Sequence, residues 1–422
     1  MVLDNDEFVQ RWKTAGGSSE EPLLETAWKR YTQVQSQDLA SEGIDPTSNQ
    51  FATSLAPLLN DSKIAPSIVK WTHMTIDCDR IPWQPTDIFL QANQVVTILA
   101  SGRVWFSKLL DMYLRPQYGL WYKVGVDGEV TNSTRETCSF RVAESGGELF
   151  ISTMFPGMFA NPQGGRLVSN PSAYEKSEGK FEIMIIVWKN GTNVQELLSQ
   201  YESTQYIEPY RSLIEGEKTR VEHEKQSEIP GWQELWFIGR STLYKSITID
   251  DNGEHRKCIQ CKPYQNVGIL QKTISPTVNF GPGCIVTWDW NISALPSRLR
   301  EDTTISHDYL SVAFEFENGR DITYHPSWEL PVEYGYWCPQ ATWEDREYHV
   351  VVRSGIEDLG KWLSERRDLY EDYQKYIGGN YVPKRIVRVW LIAGNRWQRH
   401  EGEMTVSKIR ITSEDGKVEE VL

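Results

Sequence analysis

Residues 283–296 read GCIVTWDWNISALP, and the central stretch Thr287-Trp288-Asp289-Trp290-Asn291 sets two indoles two residues apart. Side chains alternate across a β-strand, so Val286, Trp288 and Trp290 share one face and Asp289 takes the other. That alternation predicts a half-buried strand rather than a helix. Two uses remain open for the indole face: filling the space between two stacked sheets, or walling a ligand pocket.

The same period recurs on both sides of this strand. HDYLSVAFEF (307–316) sets Leu310, Val312, Phe314 and Phe316 on an apolar face and His307, Tyr309, Ser311 and Glu315 on a polar one. In KRIVRVWLIAG (384–394), Arg388 and Trp390 share a face. An unpaired charge is costly to bury, so that face reads as an open, ligand-accessible one. QELWFIG (233–239), YKSITID (244–250) and EYHVVVRSG (347–355) add further strands, and LGKWLSERRDLYEDYQKYIG (359–378) reads as one long inserted helix. Earlier in the chain, QVVTILASGRVWF (94–106), LWYKVGV (120–126), GELFISTMF (147–155) and GKFEIMIIVWK (179–189) are short β-branched and aromatic runs bounded by turn residues. Residues 1–66 and 191–229 are instead polar and helix-forming. The expected fold is mainly β: two jelly-roll or β-sandwich domains (67–190 and 230–422), an N-terminal helical segment (1–66) and a helical linker (191–229).

Two resemblances bear on this reading. NQVVTILASGRVWFS, YGLWYKVG, GGELFISTMFPGMFANP and SEGKFEIMII follow one another as strands do in the LecA-like galactose-binding calcium lectins, which the region 71–190 resembles. In that family an Asp and paired Asn residues hold the calcium that holds the sugar. Met154 and Phe155 stand where the Asp would be, and Glu175-Lys176-Ser177 where the Asn pair would be. A cation and apolar groups cannot coordinate calcium. The resemblance therefore implies the fold without the calcium-dependent sugar site. The region 231–415 resembles a family of bacterial proteins known only as a domain of unknown function, which implies a β-sandwich and no activity.

The chain has 422 residues and a net charge of −14, which argues against nucleic acid as a partner. Its first residues carry no basic-then-apolar signal pattern, and no apolar run approaches membrane-span length, so a cytoplasmic protein with free thiols is expected, without a membrane partner. Cys258 and Cys261 form a lone C-x-x-C with no second pair, read as accidental, and no nucleotide, zinc-protease or hydrolase motif is present. No metal and no cofactor are expected, and His325 and His349 read as isolated structural residues.

With 17 Trp, 19 Tyr and 13 Phe available, the expected function is a cofactor-independent enzyme, of cyclase or isomerase type, acting on a hydrophobic small molecule of secondary metabolism. The alternative is a carbohydrate-binding lectin without catalysis; homo-oligomerisation is compatible with either. The candidate catalytic groups are His307, Asp308, Glu315, Tyr324 and Arg388. The candidate ligand-binding aromatics are Trp288, Trp290, Trp328, Trp337 and Trp390 in the second β domain, and Trp105, Tyr113, Trp121, Phe155 and Phe159 in the first.

Overall fold

The computed structural model describes residues 2–36, 45, 47–78, 83–132, 137–142, 145–153, 159–165, 177–199, 217, 229–239, 241, 243–251 and 254–422. Most of the expected linker therefore lies outside the described residues, as do Phe155, the Met154 position and the Glu175-Lys176 positions of the lectin comparison. The chain forms two compact units, one of residues 1–40, 227–235 and 241–422, the other of residues 41–226 and 236–240. Among the described residues no helix is long and apolar enough to cross a membrane.

Of three N-terminal helices, the first and third start at capping boxes. In α1 (Asn5–Thr14) the Asp4 carboxylate accepts from Glu7 N at 2.9 Å while Glu7 reaches back to Asp4 N. α2 (Leu23–Gln35) presents Trp28 and Tyr31 to Phe8 of α1, with ring centroids 5.2 and 5.1 Å apart. α3 (Ser48–Asn60) starts at a second capping box, Thr47 with Gln50. By chain contacts α1 and α2 belong with the C-terminal strands and α3 with the other unit.

The unit containing α3 holds β1 (Ile68–Asp77), β2 (Gln84–Leu90), β3 (Val95–Ser107), β4 (Met112–Leu114), β5 (Leu120–Val124), β6 (Thr131–Asn132), β7 (Thr137–Arg141), β8 (Gly147–Thr153) and β9 (Glu178–Trp188). They form two sheets, β1-β9-β3-β4 with β7 also on β3, and β2-β8-β5-β6. Ile98 and Ile185 meet Leu120 and Ile151 in one core, whereas Leu99, Met184, Ile186 and Trp188, on the opposite face, pack with Phe51, Leu55 and Leu58 of α3. Buried on both faces, the second half of β9, Ile183–Trp188, reads as an uninterrupted apolar run instead of an alternating one.

The other unit holds β10 (Gln233–Glu234), β11 (Tyr244–Asp251), β12 (Glu254–Cys261), β13 (Asn266–Thr273), β14 (Ile285–Ala294), β15 (Tyr309–Phe316), β16 (Asp321–Ser327), β17 (Gly335–Trp337), β18 (Glu347–Ser354), β19 (Trp362–Asp368), β20 (Ile386–Asn395), β21 (Glu403–Thr412) and β22 (Val418–Glu420). A seven-stranded sheet runs β10-β13-β20-β15-β16-β18-β17, and a six-stranded one runs β11-β12-β21-β14-β19 with β22 on β21. Between them lies one core, to which Val286, Trp288, Trp290 and Ile292 of β14 contribute along with Leu310, Val312 and Phe314 of β15. The mainly β, sandwich-type class expected from the sequence is thus what the chain adopts.

The indoles of the opening stretch are core. Trp288 is 1% and Trp290 0% exposed. Trp288 stacks on Tyr324 of the facing sheet at 5.3 Å and meets Trp290 edge-on at 5.6 Å. The wall of a ligand pocket is not where these two residues lie: they join the two sheets.

The expected inserted helix is corrected too. Residues 362–368 form β19, antiparallel to β14 in the register Asp289↔Ser364 and Trp290↔Leu363. Lys361 to Asp368 is rich in helix formers, yet its outer residues Trp362, Ser364 and Arg366 are exposed while Leu363 and Glu365 point inward. The open edge of β14 overrides local propensity. The second half of the expected segment is helical: an α-turn over Leu369–Asp372 runs straight into a π-helical turn over Tyr373–Ile377. Arg367 at the end of β19 grips Asp372 at 2.7 Å and Glu333 at 2.5 Å, and Lys375 adds a contact to Glu333 at 2.8 Å. Hydrogen bonding from Arg367, opposed by burial, holds the Glu333 carboxyl at about 2, down from 4.5. A depressed carboxyl stabilises the fold above its unfolded value and loses that contribution as pH falls toward the folded one. In urea titrations, Glu333→Gln is expected to cost about 1 kcal/mol at pH 6, a figure reduced for solvent screening at this exposed pair, and the gap from wild type should close between pH ~4.5 and ~2.

Candidate functional site

Two surfaces of the C-terminal sandwich carry chemistry. The first is the face of the seven-stranded sheet turned away from the core. Strand parity sends Tyr309, Ser311 and Glu315 of β15 there, with Asp321, Thr323 and His325 of β16, Glu347 and His349 of β18, and Arg388 and Trp390 of β20. Register sets Asp321 beside Glu347 and Thr323 beside His349. This face is polar but not open: Ser311, Thr323, His325 and His349 are 0% exposed, and Asp321 1%. Chain segments cover it, bringing His307 and Cys338 onto it and Trp343 against Trp390 at 6.3 Å.

At its centre, ligand-type atoms of His307, Cys338, Glu347 and His349 all lie within 4.8 Å of one another. Cys338 Sγ is 3.3 Å from His307 Nε2, and Glu347 Oε1 is 3.6 Å from His349 Nε2. Tyr309 Oη donates to Glu347 Oε1 at 2.7 Å. The ring of His349 stacks on Tyr336 at 4.9 Å, and Tyr336 Oη meets His325 Nε2 at 3.2 Å. Several buried polar atoms here have no hydrogen-bond partner: Ser311 Oγ, one Asp321 oxygen, Trp390 Nε1 and both ring nitrogens of His349. Such atoms are uncommon in folded proteins, and here they converge on one sheet face.

Burial decides the charge states. It pushes His307 well below its ordinary range and His325 down to about 3, with the neighbouring imidazole of His349 acting in the same direction. Burial raises Glu301 to about 8, against hydrogen bonds from Ser327 and Trp328. Burial also works against ionisation of Glu347, but His349 and the Tyr309 hydroxyl outweigh it and hold the carboxyl below its usual range.

The five expected catalytic residues do not converge. His307 joins the cluster. Asp308, 0% exposed, instead accepts three backbone N–H groups, from Arg396, Trp397 and Gln398, at 2.7, 2.8 and 2.6 Å, and so holds a loop. Glu315 is paired with Arg388 at 2.7 Å toward one margin of the face, which satisfies the charge that suggested an open surface. Tyr324 points the other way, into the core, where its hydroxyl donates to Asp372 at 2.6 Å. The sequence reading missed Cys338, Glu347 and Tyr309, and took His349 for an isolated residue. The shared parity of Glu347 and His349 was the available signal.

The expected ligand-binding aromatics are likewise dispersed into packing. Trp390 and Trp121 are 1% and 0% exposed. Phe159, 4% exposed, packs on Trp121 at 4.7 Å. Half-buried Trp105 lies edge-on to Tyr113 at 4.7 Å, under the Arg103 guanidinium. Trp328 and Trp337 are partly buried beneath Arg298 and Arg320.

The second surface is the outer face of the six-stranded sheet, where Trp362 of β19 stays 37% exposed. Around it stand Asp289 and Asn291 of β14, Ser364 of β19 and Arg256 of β12. The Arg256 guanidinium lies 4.7 Å from the indole centroid. Ser364 Oγ donates to Asp289 Oδ1 at 2.6 Å, while the other carboxylate oxygen has only long ion pairs, 3.7 Å to Arg256 and 3.7 Å to Lys408. Cys258 belongs to this face and Cys261 to the core, so the C-x-x-C is split across a strand and makes no dithiol pair.

A family model described as "Protein of unknown function (DUF3047)" matches residues 230–410, in keeping with the resemblance read in that region and spanning less than half of the chain. No curated protein matches the chain. Carbohydrate-binding domains are among the similar solved structures. The N-terminal domain of EclA, a PllA-like lectin, is 16% identical, with 27% of this chain and 94% of that one covered, at a TM-score of 0.22. The family 11 carbohydrate-binding module of the cellulase Lic26A-Cel5E of Clostridium thermocellum is 10% identical, covering 44% and 89%, at 0.23. The CBM22-1 xylan-binding domain of Paenibacillus barcinonensis Xyn10C is 9% identical, covering 44% and 87%, at 0.22.

Proposed function

We propose that the C-terminal sandwich binds a carbohydrate on the outer face of its six-stranded sheet, with Trp362 as the stacking platform. The observation that carries this is the company Trp362 keeps. A sugar ring has an apolar C–H face and a rim of hydroxyls, so it calls for one flat aromatic surface with donors and acceptors beside it. Trp362 supplies the surface. Asp289, Asn291, Ser364 and Arg256 supply carboxylate, amide, hydroxyl and guanidinium groups around it. Arg256 covers part of the indole and the rest stays exposed.

An apolar substrate of the cyclase or isomerase type finds less support. Of the aromatic residues that would wall its pocket, Trp121, Trp288, Trp290 and Trp390 are core members, and the exposed Trp362 stands among charged and polar groups. The test is a glycan array followed by calorimetric titration of the oligosaccharides that bind. Trp362→Ala is expected to weaken binding at least tenfold, about 1.4 kcal/mol, with the fold intact, because the side chain is exposed. A wild-type protein that binds no glycan, or a Trp362→Ala variant that binds as well as wild type, overturns the reading.

A further inference from the structure

We propose that His307, Cys338, Glu347 and His349 form a closed four-ligand site for a zinc-class divalent ion. This inference lies on the opposite sheet from the sugar-binding surface and does not depend on it.

The donors are of the right kind and nearly in place. An ion about 2.0–2.3 Å from each of four tetrahedral donors sets those donors roughly 3.3–3.8 Å apart. The contacts of 3.3 Å between Cys338 Sγ and His307 Nε2, and of 3.6 Å between Glu347 Oε1 and His349 Nε2, are two edges of such a figure. The remaining separations stay within 4.8 Å. Imidazole and thiol donors select a transition ion over calcium or magnesium, which take oxygen.

The surroundings orient those donors. His307 Nδ1 lies 2.6 Å from the carbonyl oxygen of Glu301. A carbonyl only accepts, so the proton sits on Nδ1 and the Nε2 lone pair faces the cluster, the outer-shell arrangement common around metal-bound histidine. Tyr309 Oη in turn steadies the Glu347 carboxylate. His349 supplies the independent sign. Its ring is 0% exposed and clamped against Tyr336, yet neither nitrogen has a hydrogen-bond partner. An imidazole buried without partners is destabilising, and metal coordination at Nε2 satisfies one of its two nitrogens.

Charge balance agrees. On binding, the Cys338 Sγ–H bond breaks, its proton leaves to solvent, and an S–metal bond forms. A dication with one thiolate, one carboxylate and two neutral imidazoles has no net charge, the form least costly to bury. The ligands are 1%, 3%, 3% and 0% exposed in chain order, which leaves no route for substrate and makes the ion structural. It would pin the segment before β15 and the end of β17 to β18. A thiol–imidazole nucleophile built from Cys338 and His307 would need access that this burial denies.

The experiment uses the full chain. Elemental analysis after purification, and again after chelator dialysis and readdition of zinc, is expected to give about one zinc per chain, then none, then one. With free zinc at about 1,000 times Kd, the thermal midpoint of the apoprotein should rise by roughly 10 °C. Cobalt in place of zinc should give a thiolate-to-cobalt charge-transfer band in wild type and in Cys258→Ser, but not in Cys338→Ser. Wild-type protein that holds under a tenth of an equivalent after zinc addition, with no shift in midpoint, overturns the site. So does cobalt bound without the thiolate band. Both of these readings come from the wild-type chain, so a Cys338→Ser variant that fails to fold does not rescue the idea.

Discussion

Asp308→Ala is expected to lower the stability of the C-terminal unit by about 3–5 kcal/mol, among the largest effects any single polar residue here should produce. The carboxylate is fully buried and takes the backbone N–H groups of Arg396, Trp397 and Gln398. Deleting it strands three donors, each costing about 1–3 kcal/mol when buried without an acceptor, though not additively. The loop it holds has a second duty. Carbonyl oxygens of Trp397 and Gln398 accept from the buried Arg30 of α2, at 2.6 and 3.4 Å. A loosened loop therefore loosens α2 as well. Hydrogen exchange should show faster opening of residues 23–35 in the variant, and the urea midpoint should fall with the slope unchanged. Asp308→Asn, which keeps one acceptor oxygen, should lose about half as much. An Asp308→Asn variant of wild-type stability would return the residue to the list of free, chemically available carboxylates.

How Asp308 came to be misassigned shows what the sequence could convey. Parity along β15 was legible: His307, Tyr309, Ser311 and Glu315 do share the polar face, and Leu310, Val312 and Phe314 the core one. What that polar face meets was not legible, because its cover comes from segments far along the chain. Cys338 is brought in at the end of β17. Glu347 and His349 arrive through a parallel pairing of β16 with β18, which no local pattern announces. Three histidines spread over residues 307–349 look isolated in sequence, yet the rings of His307 and His325 lie 4.8 and 5.4 Å from that of His349. Arg388 was read correctly as too charged for a dry core, but its answer is Glu315, not a ligand. β19 failed for another reason. A charged, helix-favouring run became a strand because an unpaired edge of β14 was available, and its exposed Trp362 went unnoticed inside the expected helix.

The two tryptophans of β14 supply the last expected result. Trp288→Ala should destabilise the C-terminal unit by about 3–5 kcal/mol, the loss for a fully buried large aromatic that leaves a cavity between two sheets unable to collapse. Its neighbours are fixed from both sides: Tyr324 stacks on it from the seven-stranded sheet and is itself anchored to Asp372, while Trp290 meets it edge-on. Phenylalanine separates the two indoles more sharply. Trp288 Nε1 has no hydrogen-bond partner, so Trp288→Phe removes ring volume and a stranded donor together and should cost only about 1–2 kcal/mol. Trp290 Nε1 donates to Glu365 Oε1 at 3.1 Å, and that carboxylate is also held by Arg353 at 2.7 Å. Trp290→Phe breaks the first bond and leaves the second, so it should cost roughly 1 kcal/mol more than Trp288→Phe. Equilibrium unfolding of the three variants measures this order. Indoles that walled a ligand pocket would behave differently, since truncation would cost little stability and abolish binding. A Trp288→Ala protein as stable as wild type would therefore return the TWDWN strand to the ligand side of the question and reopen the sandwich core for reassignment.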